Sequence, residues 1–102
     1  MMDTDVKKTS KTYAICAVLY EAKYPLTRVE ILRRAHEYLE ERGVKLAPFK
    51  ATSNHCYFSP RGLGNGGQIS VVYRGLVRRH KQLAGRIYVY KLTDAGARLI
   101  NP

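Results

Sequence analysis

Nonpolar positions along the chain recur at helical spacing in its first half, lose regularity in the middle and alternate near the end. From Ser10 or Lys11 to Ala22 the pattern predicts a helix. Residues Ala14 to Tyr20 are nonpolar around nearly its whole circumference, which implies burial on more than one side. The stretch "AKYPLT" reads as the turn that ends it, with Pro25 just past the end. In "TRVEILRRAHEYLEERG", Val29, Leu32, Ala35/His36 and Leu39 form the inward stripe of a second helix. Thr27 and Glu30 have capping-box spacing, and Gly43 falls where a left-handed cap would end the helix. Glu30–Arg34 and Arg33–Glu37 sit four apart on its flanks, as paired charges do.

Residues 44–67 have no single period. "VKLAPFKA" suits a short strand that Pro48 confines to a sheet edge, "TSNHCYFSP" a helical turn, and "RGLGNGG" a flexible loop. In "QISVVYRG", Ile69, Val72, Tyr73 and Leu76 have helical spacing. A helix with those residues inward turns Ser70, Val71 and Arg74 outward, with Gln68 at its edge. Two strands follow, Leu76–Lys81 and Arg86–Leu92, joined by "QLAG", with Gly85 placed for a positive φ. Thr93 caps a last short helix, "DAGARLI". Residues 1–9 read as a flexible basic arm carrying Lys7 and Lys8, and 10–102 as one domain.

Charge changes this picture. The chain carries a net +10. Residues 1–43 hold eight Lys/Arg against seven Asp/Glu, close to balance, whereas 44–102 hold ten against Asp94 alone. A folded stretch of cations with no interspersed acid repels itself, and a polyanionic partner is the simplest reason to keep it. The densest part is the hairpin, with Arg78, Arg79, His80, Lys81 and Arg86 near its turn. Such a ribbon can lay cations along a phosphate backbone or reach into a minor groove. On the preceding helix, Arg74 and Gln68 are side-chain types that read guanine and adenine edges, and Val71 suits a thymine methyl. Lys11, Arg28, Lys50, Asn54 and Arg61, with Lys7 and Lys8, are further backbone-contact candidates.

Other chemistries find little support. Gly62-x-Gly64-x-x-Gly67 has dinucleotide-fingerprint spacing but follows Ser59-Pro60 rather than a strand, and no acid lies about twenty residues beyond it. No phosphate-loop lysine follows, so no cofactor is expected. His36, His55, His80, Cys16 and Cys56 lack zinc-ligand spacing, so no metal is expected. No nucleophile–base arrangement stands out, so an enzyme is not expected. No apolar run is long enough to span a bilayer and no export signal opens the chain, so the expectation is an intracellular, cytoplasmic and nucleoid-associated protein with reduced thiols.

Arg74-Gly75-Leu76-Val77-Arg78, then Gly85-Arg86, Tyr88, Tyr90, Leu92-Thr93 and Gly96, resemble the second half of winged helix-turn-helix domains of the PadR-like and MarR-like regulators. The resemblance covers about a third of the chain. It implies an α+β, mainly α fold, a winged helix-turn-helix: a three-helix core plus a basic β-hairpin wing and a short C-terminal helix. It also implies double-stranded DNA as partner and a role in transcription regulation. One departure stands out, because roughly twenty-four residues separate the second helix from "QISVVYRG". Either 44–67 is an inserted loop, or the recognition helix lies earlier, around 53–58. Sequence-nonspecific binding of DNA or RNA, and docking of the basic face on an acidic protein, are the alternative functions. The apolar girth of the first helix also implies a cover: a second copy in a homodimer, or Leu46, Phe49, Tyr57 and Phe58 folded back over it.

Overall fold

The computed structural model describes residues 6–50, 55–58, 70–85 and 87–102, with backbone alone at His55 and Cys56. Helix α1 spans Lys11–Ala22. It starts where Ser10 Oγ accepts the Tyr13 N–H at 3.1 Å, and ends at Lys23, which takes a left-handed φ of 63°. The expected turn before α2 contains a two-residue strand, β1 (Leu26–Thr27). Two residues set no period, so only their partner on a later strand reveals them.

Helix α2 spans Arg28–Glu41. Thr27 Oγ1 accepts the Glu30 N–H at 3.3 Å, as the capping spacing predicts. The Glu30 carboxylate does not complete the box. It takes Arg34 Nε at 2.7 Å and Arg33 Nη1 at 3.0 Å, so Arg33 bonds backward to Glu30 rather than forward to Glu37. The hydrogen bond from Arg34 holds the Glu30 carboxyl below its usual pKa. The buried stripe is Ile31, Leu32, Ala35 and Leu39, with Val29 only half-buried. Gly43, at φ +82°, closes the helix as a Schellman motif: its N–H reaches Glu40 O, and the Val44 N–H reaches Leu39 O.

Among the described residues, 44–50, the edge strand expected in "VKLAPFKA" is absent. Residues 44–50 run without a ladder along α2, with Val44, Leu46 and Phe49 packed against the core. His36 anchors them through Nε2 to the Ala47 carbonyl at 2.9 Å and an edge-on contact with Phe49. A short 3-10 helix, His55–Phe58, comes where a helical turn was expected. Phe58 is buried against Tyr90, ring centroids 4.8 Å apart.

The expected recognition helix is corrected. Residues 70–75 make one capped turn, in which Ser70 Oγ accepts the Tyr73 N–H and Ser70 O accepts the Arg74 N–H. Gly75, at φ +76°, ends it as a second Schellman motif, with Gly75 N–H to Val72 O and Leu76 N–H to Val71 O. One turn cannot hold a 3.6-residue stripe. Ser70, Val71 and Leu76 are buried at 0% exposure, while Tyr73 is 54% exposed. Ser70 and Val71 therefore face inward, opposite to expectation.

Strands β2 (Val77–Ala84) and β3 (Ile87–Leu92) form an antiparallel hairpin whose ladder closes at Ala84–Ile87. "QLA" therefore belongs to β2 rather than to the turn. Gly85 has the positive φ, 54°. Strand β1 pairs with β3 through Leu26–Tyr90 and Thr27–Val89, giving a three-stranded antiparallel sheet in the order β1-β3-β2. Helix α3 (Asp94–Ile100) follows. Thr93 fastens it twice, accepting the Gly96 N–H at 3.1 Å and donating its hydroxyl to Gly75 O at 2.6 Å.

The result is a small α+β fold of three α-helices and one three-stranded sheet among the described residues. Every residue of α1 from Thr12 to Leu19 is buried, because α2, α3 and β3 pack around it. The apolar girth that suggested a second copy is covered within the chain.

Candidate functional site

The hairpin begins in the core and leaves it at once. Val77 is buried, and all seven residues from Arg78 to Ala84 are exposed. Period-two reading of "RRHKQLA" would group Arg78 with His80 and Gln82 on one face. The ladder groups them differently, because register shifts between Arg79/Lys81 and between Gln82/Ala84 leave His80 and Leu83 as bulged residues. Each bulge moves the following residues to the opposite face. The partners are Arg78–Lys91, Lys81–Val89 and Ala84–Ile87 on one side, and Arg79–Tyr90 and Gln82–Tyr88 on the other.

The bulges therefore put Arg78, Lys81 and Lys91 on a single face. Arg78 and Lys91 stand directly opposite each other, an arrangement that destabilises an isolated sheet. No ion pair among the described residues involves Arg78, Arg79, Lys81 or Lys91. On the other face, the Arg79 guanidinium lies 4.3 Å above the Tyr88 ring, which aims it without neutralising it. Gln82 Nε2 donates to the Gly85 carbonyl and braces the turn. The tip also carries apolar side chains: Leu83 and Ile87 are each 54% exposed.

The structure thus brings together Arg78, Arg79, His80 and Lys81 of the expected wing site and adds Lys91, which sequence reading missed. Only the bulged register puts Lys91 beside Arg78. Arg86 lies outside the described residues, as do Gln68, Asn54 and Arg61. Arg74 is half-buried on the capped turn, next to exposed Tyr73. Of the other backbone candidates, Lys7, Lys8 and Lys50 are exposed and Arg28 is half-buried at the start of α2. Lys11 is also half-buried, its ammonium 5.5 Å from the Tyr57 ring centre.

The hairpin does not line the cleft of about 400 Å³ between α1 and α2, which is bordered by Glu21, Glu37, Glu41, Tyr24 and Tyr38. Among the described residues no cluster of three His, Cys, Asp or Glu could hold a metal ion. Cys16 is a buried thiol, and no described helix is long and apolar enough to cross a membrane. Comparison with known proteins finds no family model, no curated relative and no solved structure that matches the chain, so the site is read from its own geometry.

Proposed function

We propose that this protein is a winged helix-turn-helix domain that binds double-stranded DNA through its basic wing, in the role of a small transcriptional regulator. The observation that carries the reading is the unneutralised cationic face of the hairpin, with Arg78 and Lys91 held opposite each other and Lys81 beside them. A sheet that keeps like charges in register gains from a partner that lies between them, and a phosphate backbone is such a partner. The order of elements supports the fold: two helices, a long link, the hairpin and a C-terminal helix follow the winged-helix resemblance, with a capped turn where it places the recognition helix.

A second reading has a specific observation behind it. Ser70 and Val71 point into the core, which leaves Tyr73 and Arg74 as the outward part of the turn and reduces the surface for base reading. That favours affinity dominated by phosphate contacts, with weak sequence preference. Replacing Arg78, Arg79 and Lys81 together by Ala tests the shared part of both readings. Duplex affinity should fall alike on every sequence, and the slope of log affinity against log salt should shrink by about 0.9 for each phosphate that the variant no longer neutralises. Wild-type affinity that ignores salt would favour docking on an acidic protein instead. A footprint confined to one sequence would separate the regulator from a nonspecific DNA or RNA binder.

A further inference from the structure

The apolar tip of the hairpin is not explained by phosphate contact. Leu83 and Ile87 flank the hairpin turn, each more than half exposed, at the far end of a ribbon that carries Arg78, Arg79, Lys81 and Lys91. Their exposure is built into the ladder. Leu83 is the extra residue of the second bulge and has no cross-strand partner. Ile87 pairs with Ala84, whose methyl group is too short to cover it. Neither residue belongs to the core or packs against it. Solubility alone would place polar side chains at both positions, as on the preceding run from Arg78 to Gln82.

We infer that Leu83 and Ile87 form a wedge that enters the DNA minor groove and unstacks a base step, bending the duplex toward its major groove. The inference rests on the proposal that the wing binds DNA, and it concerns what the tip does there. About five residues separate Arg78 from Leu83, roughly 16 Å of strand, so cations can hold phosphates outside the groove while the tip reaches its floor. The minor groove is about 6 Å wide, and two strands some 4.8 Å apart with their side chains exceed that width. Entry must therefore open the groove, and apolar side chains driven between base steps do this by kinking the duplex. The cost is least at flexible pyrimidine–purine steps, so TA steps are the preferred points of entry.

The test uses the full chain and short duplexes labelled at both ends for energy transfer, with 2-aminopurine at a central TA step. Wild type should shorten the end-to-end distance, consistent with a bend in the range of about 20–90°, and raise 2-aminopurine fluorescence as stacking is lost. The double variant L83S/I87S should abolish both signals and bind about tenfold more weakly, with its salt slope unchanged because the cations remain. Both sites are exposed, and matching melting curves will show that the variant folds. Wild-type binding that depends on salt but leaves the duplex straight and stacked overturns the wedge while keeping DNA binding. Loss of self-association in L83S/I87S, with bending retained, also overturns it and assigns the tip to contacts between copies. Absence of any duplex binding by wild type overturns the proposed function itself.

Discussion

Gly96 is where a single atom matters most. It lies in α3, where alanine normally improves a helix by about 1 kcal/mol over glycine. Here a Cβ would run into the Leu76 carbonyl oxygen and the Leu92 side chain. The carbonyl cannot move aside freely, because it also accepts the Thr93 N–H at 3.0 Å. Gly96→Ala should therefore destabilise the protein by about 1–3 kcal/mol, lowering the melting temperature by on the order of 10 °C. A thermal melt that rises instead would mean that propensity outweighs the close approach of α3 to the base of the hairpin.

At the scale of elements, the hairpin balances stability against charge. Strand β3 is central, joined to β1 by Leu26–Tyr90 and to β2 along its length, so its backbone is secure while its outward side chains are free to serve a partner. Lys91 faces Arg78 across the ladder. Lys91→Glu should turn that repulsion into a cross-strand pair and stabilise the free protein by about 0.2–1 kcal/mol. The same change should weaken duplex binding several-fold. Chemical denaturation and duplex titration on one variant give both answers. If stability and binding moved in the same direction, the like-charge pair would have no bearing on a bound anion.

For the whole molecule, the placement of α1 decides how copies relate. Its residues from Thr12 to Leu19 are all buried by α2, α3 and β3, with the 44–50 segment packed on the same core through Leu46 and Phe49. No broad face of α1 is left for a second copy to cover. The free protein should therefore sediment at micromolar concentration as a monomer of 11.6 kDa and bind DNA as a single module. A concentration-dependent dimer would show that some surface other than α1 joins the copies, and the exposed hairpin tip would be the first place to substitute.

Locally encoded features were legible from the residues alone. The caps at Ser10, Thr27 and Thr93, the positive-φ glycines Gly43 and Gly85, and both long helices depend on residues within a few positions of each other. The acid-free basic run was equally legible, because charge is counted without knowing the fold. Features that depend on distant partners emerged only once the chain was folded. Strand β1 exists because β3 pairs with it, and Val71 is buried where its backbone bonds to Tyr57, Leu76 and Val77. The face carrying Arg78, Lys81 and Lys91 was likewise hidden, since two bulges replace a period of two by steps of three along β2. A bulge is a mismatch in length between two paired strands, and it appears only when both are laid side by side.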